Sequence, residues 1–153
     1  MHCRPRSERG FSLLELILVL AIMLTIAGMA VPNLLGALTA ARNAHAAGDI
    51  NTMETEVAEY QIEIGPYPDS LTQIGRGTYL DPWGQPYQYF NHSDNMGNGI
   101  LRLDQFGVPL NDDYDLYSLG YDGQTAASIT ATVAQDDIIR GGGGGYIGRA
   151  SSY

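Results

Sequence analysis

From Phe11 to Val31 the chain is one apolar run broken by a single charge, Glu15. As a helix rising ~1.5 Å per residue it spans about 31 Å, close to the thickness of a bilayer core, and so predicts a membrane-spanning segment. Pro32 closes the run. Its missing N–H leaves the carbonyl of Gly28 without a helical donor, and Gly36 follows a turn later, so a kink or weak point is expected there.

Beyond Pro32, Ile50, Met53, Val57, Tyr60 and Ile64 recur at spacings of 3, 4, 3 and 4. This is the stripe of an amphipathic helix over residues 32–64. Glu54, Glu56, Glu59 and Glu63 take the other faces, and Gly65 with Pro66 ends the helix. The stripe suits a small sheet packed on the helix better than a coiled-coil partner.

The pattern then shortens to strand-length pieces between turn residues. "YLDPWGQPYQYF" carries a turn at Pro82 to Gly84 and then the alternation of Tyr87 and Tyr89. "GILRLDQFG" and "YDLYSLG" read as further strands. The expected architecture is α+β, with a long N-terminal helix on an antiparallel sheet of three or four strands. Residues 65–140 form the globular part, and "GGGGG" at 141–145 opens a tail, 141–153, whose default is flexibility. An arm docking on a neighbouring subunit is the alternative.

Charge adds direction. Arg4, Arg6 and Arg9 against Glu8 precede the apolar run, which places that end in the cytoplasm and the bulk of the chain across the membrane. The run is too long for a secretory signal peptide, and no small-residue cleavage site follows it. The net charge of the 153 residues is -9; beyond Gly10, 5 arginines face 16 acids, giving -11. Such a surface argues against nucleic acid or anionic lipid as partner. Cys3 is the only cysteine, so a disulfide cannot hold the fold.

Glu15 is the residue that demands a reason. A carboxylate at the centre of a membrane helix costs roughly 2.5–3.5 kcal/mol on insertion scales, and intramembrane acids generally have a partner. Position alone leaves two readings: a side chain wetted by headgroups, or an acid awaiting a cation.

The basic leader followed by Gly10, Phe11, Ser12, Leu13, Leu14, Glu15 and a long apolar helix resembles the processing and methylation motif of type IV pilins and pseudopilins. "YPDSL", "DPWGQPYQY", "YDLYSLGYDG" and "DDI", in this order, are similar to the major pseudopilins of type II secretion systems. The resemblance implies a pilin-like fold, removal of residues 1–10 by a prepilin peptidase, methylation of the new N-terminus at Phe11, and residues 11–31 as the assembly helix. It further implies that Glu15 pairs with the Phe11 amino group of a neighbouring copy, which would make it an assembly register.

The implied function is that of a structural subunit, polymerising into a filament that moves proteins through an outer-membrane channel. The implied partners are other copies of the chain, minor pseudopilins, and an inner-membrane platform with a cytoplasmic ATPase. The implied location is the inner membrane with the C-terminal domain in the periplasm, followed by extraction into the filament. A surface type IV pilus subunit for adhesion or motility is the alternative, although such pilins commonly tie down their C-terminal region with a cysteine pair.

Three stretches depart from the resemblance: the long "NHSDNMGNGILRLDQFGVPLND", the loop "QTAASITATVAQ", and the ending "GGGGGYIGRASSY".

Asp112, Asp113, Asp115, Asp122, Asp136 and Asp137 crowd the same region. Calcium takes roughly six to eight oxygen ligands, and Asp122, set before Gly123, presents its carboxylate from a tight turn. The spacing is not that of a helix–loop–helix calcium site, so on residues alone a solvated acidic face is the plainer reading. The resemblance implies a structural calcium held by the Leu119 carbonyl, Asp122, and one or both of Asp136 and Asp137.

A catalytic reading finds little. After the leader only His45 and His92 remain, with no cysteine or lysine, and Ser118 sits in a strand pattern without a nucleophile elbow. The ten tyrosines and Trp83 read as packing.

Overall fold

A computed structural model describes residues 10–153. The expectations for the basic leader, Cys3 included, lie outside the described residues. The chain divides into two units, one up to Thr39 and one from Ala40 to Tyr153.

A 52-residue helix, α1 (Leu13–Ile64), begins in the first unit. Every side chain from Leu13 to Thr39 is exposed. Among the described residues this is the one helix long and apolar enough to cross a membrane. The helix assignment continues through Pro32 without interruption.

The second unit contains the expected helix-on-sheet arrangement. Its stripe begins one turn earlier than the periodicity suggested, with Ala46, Ile50, Met53 and Val57 buried. Tyr60 is half-buried and Ile64 is 58% exposed, so burial ends before the helix does. Gly65, at φ 103°, then turns the chain, its N–H donating to the Gln61 carbonyl.

Five antiparallel strands follow: β1 (Gln88–Asn91), β2 (Met96–Gly97), β3 (Tyr114–Ser118), β4 (Ile138–Gly141) and β5 (Tyr146–Arg149). They lie in the order β2-β1-β3-β4-β5, with Tyr89 opposite Leu116 and Tyr117 opposite Ile139. The turn into β1 is built by Asp81, whose Oδ1 accepts from the N–H groups of Trp83 and Gln85 at 3.0 and 2.8 Å.

Two expectations need correction. "GILRLDQFG" is not a strand: Leu103 makes only isolated bridges, to Pro109 and to Ser128. Pro109 has no N–H for a ladder, and Asp104 folds the segment by accepting from the N–H groups of Phe106 and Val108 at 2.7 and 2.9 Å. Nor is the glycine tail flexible. Gly141 ends β4, Gly142, Gly143 and Gly144 turn at φ 60°, 64° and 91°, and the chain returns as β5. Three successive positive φ values are open to glycine at little cost and to almost no other residue.

The extra segments also explain why β3 and β4 are buried throughout. One face carries Tyr89, Tyr114, Leu116 and Ile138 into the cluster with α1. On the opposite face Tyr117 and Ile139 join Leu110, Ile129 and Ala150, all drawn from the stretches that depart from the resemblance. The sheet therefore has two cores.

Val57→Ala is expected to cost roughly 2 kcal/mol, combining lost transfer energy with a small cavity. Ile64→Ala should stay within about 0.5 kcal/mol, as for other exposed positions. Equal losses in urea melts would contradict the observed end of the stripe.

Candidate functional site

Two regions hold the candidate residues, the start of α1 and the acidic loops around β3 and β4. At the start of α1, Gly10 is exposed and Phe11 is 84% exposed. Ser12 opens the helix as its cap: its Oγ accepts from the Glu15 N–H at 3.2 Å. Ser12 and Glu15 thus stand at the two ends of a capping-box spacing, with the acid in the first turn, where the helix dipole favours it. The Glu15 side chain is exposed, and among the described residues it has no ion-pair partner.

Around Pro32, side chains reach back to helix carbonyls, Asn33 Nδ2 to Met29 at 3.2 Å and Thr39 Oγ1 to Leu35 at 3.1 Å. The carbonyl of Gly28 lacks the N–H that Pro32 does not have, yet the helix runs on without a break.

In the acidic loops the six aspartates have separate tasks. Asp112 is exposed. Asp113 accepts from Arg140 through both oxygens, at 2.7 and 2.9 Å. Asp115 is fully buried and accepts from the Arg102 N–H, from Asn111 Nδ2 and, through the contact at 2.9 Å, from His92. Asp122 Oδ1 accepts from the Gln124 N–H at 2.8 Å. Asp136 Oδ2 caps the turn after Leu119, taking the N–H groups of Tyr121 and Asp122 at 2.8 and 3.1 Å. Asp137 is fully buried, and its Oδ2 accepts from Arg102 Nη2 at 2.7 Å and from the Thr125 hydroxyl at 2.6 Å. Burial pushes its carboxyl up to about 6, against the lowering pull of Thr125 and Arg102.

Of the residues expected to bind calcium, Asp137 does not fit that ion, because a guanidinium already matches its charge. Among the described residues no three His, Cys, Asp or Glu side chains gather so as to hold a metal. Asp122 and Asp136 are tied to local N–H groups, and Asp137 faces a guanidinium.

Sequence reasoning missed the two buried arginines. Arg102 is 1% and Arg140 4% exposed. Arg140 donates from Nε to Glu54 Oε1 of α1 at 2.9 Å and from Nη1 to the Tyr114 carbonyl at 3.1 Å, with its guanidinium 4.1 Å from the Tyr114 ring centroid. Their signal was a charge set inside an apolar run: "ILRL" and "IIRG".

Ser118 makes no catalytic arrangement. It is buried and donates to Asp81 Oδ2 at 2.5 Å.

The comparisons bear on both regions. The family described as "Prokaryotic N-terminal methylation motif" matches residues 5–31, and "Type II secretion system (T2SS), protein G" matches residues 33–136. The type II secretion system core protein G of Klebsiella michiganensis is 30% identical over 131 residues, 72% of this chain and 92% of that protein. That of Aeromonas hydrophila is 30% identical over 142 residues, covering 79% and 88%. The Vibrio cholerae protein is 28% identical over 147 residues, covering 83% and 90%. No solved structure matches the chain significantly. The match runs through more than half of the sequence and takes in the Asp81 turn, β1, β3 and the Asp122 loop as far as Asp136, so this chain belongs to the type II secretion system protein G family.

Proposed function

We propose that this chain is the repeating, non-catalytic subunit of a type II secretion pseudopilus, cut between Gly10 and Phe11, methylated at Phe11, and polymerised through α1. The observation that carries this reading is the exposed apolar first half of α1, with Glu15 as its one charge. So much apolar surface needs lipid before assembly and neighbouring helices after it. Glu15, without an ion-pair partner among the described residues, is complemented by the amino group that cleavage creates at Phe11 of the next copy. Held in the inner membrane with its sheet domain in the periplasm, the subunit waits for an assembly platform driven by a cytoplasmic ATPase. Minor pseudopilins would be its further partners in the filament. The net charge of -11 beyond Gly10 keeps the domain off nucleic acid.

Co-expression with a prepilin peptidase tests the first step. Intact-mass measurement should find residues 11–153 carrying one added methyl group, and Gly10→Val should leave the precursor uncut. A mature chain beginning elsewhere would overturn the proposed pairing, because the amino group would not lie opposite Glu15.

A further inference from the structure

Arg102 projects from an apolar segment into the loop that joins β3 to β4, and its side chain is 1% exposed. A guanidinium offers five N–H donors in one plane and stays charged, so burial requires a set of acceptors. Nη2 donates to Asp137 Oδ2 at 2.7 Å. Nη1 donates to the Ala126 carbonyl at 2.7 Å and to Thr125 Oγ1. The Tyr117 ring lies under the cation, its centroid 4.6 Å from Cζ. A carboxylate, a hydroxyl and a carbonyl are the oxygens a hard divalent cation selects, and here they surround an arginine.

The surroundings of Asp137 do not suit such an ion. A divalent cation at Asp137 would stand beside a fixed positive charge. Asp137 Oδ1, buried without a partner, is one oxygen where calcium needs roughly six to eight. Arg102 comes from the long stretch before β3, and Thr125 and Ala126 come from the loop after Gly123. Two of the departures from the family resemblance thus meet in a single cluster.

We propose that Arg102 is the resident cation of the Gly123–Asp137 loop, so that this domain folds and stays folded without calcium. The clamp acts within one chain and stands or falls separately from polymerisation.

Thermal unfolding of the full chain in detergent micelles, followed by the near-ultraviolet circular dichroism of its tyrosines, tests this directly. Metal-stripped protein should melt at the same temperature with EGTA, with calcium and with magnesium. A rise of several degrees specific to calcium would overturn the proposal. Arg102→Met should lower the midpoint by about 10 °C or more in all three conditions, because a buried carboxylate loses its partner. The double variant Arg102→Met, Asp137→Leu, which removes both charges, should recover most of that loss. A single variant melting like the parent, or a double variant no better than the single, would each refute the clamp.

Discussion

Glu15→Ala is expected to abolish filaments while leaving the chain in the membrane. Removing a carboxylate from an apolar helix lowers the cost of insertion, by up to roughly 2.5–3.5 kcal/mol, so anchoring should improve. Assembly changes in the other direction. Breaking a low-dielectric ion pair by removing one partner costs roughly 3–5 kcal/mol, which is on the order of 10²–10⁴-fold in the affinity of one subunit for the next. The Phe11 amino group would be left buried without its counter-charge. A local reading competes, since Glu15 also stands at the third position after the Ser12 cap. Glu15→Gln separates the two: glutamine keeps the capping-box chemistry but not the charge. Filaments sheared from cells and probed by immunoblot, alongside alkaline extraction of membranes, supply both readouts. Normal filament yield in Glu15→Gln would show that the cap matters and the charge does not.

The second large effect is on the stability of the sheet domain. Arg140→Met should destabilise it by roughly 3 kcal/mol, toward the lower end for broken buried pairs because Glu54 and Asp113 retain some contact with water. Their side chains are 23% and 24% exposed. The loss has three parts: the tie from β4 to α1 through Glu54, the two-pronged bond to Asp113, and the stacking on Tyr114. Burial raises the Asp113 carboxyl, but the hydrogen bonds from Arg140 and from backbone N–H groups, with the Arg140 charge, together outweigh it and the net shift is downward. A folded-state value below the unfolded one gives stability that is present above the unfolded carboxylate range and lost as pH falls through the folded value. The Arg140→Met penalty should therefore be full at neutral pH and shrink in acid, below about pH 4. Urea melts at both ends of this range check it; a penalty that does not change with pH would assign the effect to Tyr114 packing instead.

Much of this architecture was readable because it follows period and punctuation. Ile50, Met53 and Val57 announce a helix face, Gly65 and Pro66 stop it, and Tyr87 and Tyr89 announce the first long strand. What failed to read were features set by tertiary partners. "GGGGG" has the composition of a flexible linker, yet Gly142, Gly143 and Gly144 turn at positive φ beside the Glu54 carboxylate, a conformation that glycine adopts at little cost and other residues rarely do. "GILRLDQFG" has strand composition, but the second core and the Asp104 turn claim its side chains and its backbone. The acids after β3 suggested a metal because carboxylates advertise themselves in a sequence. Their actual partners, Arg102 and local N–H groups, depend on a contact between positions 35 residues apart.

If α1 is an assembly element whose register Glu15 fixes, cryo-electron microscopy of filaments formed by the processed chain should show it. The expected result is a core of packed α1 helices in which the Glu15 carboxylate of each subunit lies within ion-pair distance of the methylated Phe11 amino group of a neighbour. Filaments in which Glu15 faces away from every neighbouring N-terminus, or a processed chain that never polymerises, would contradict it.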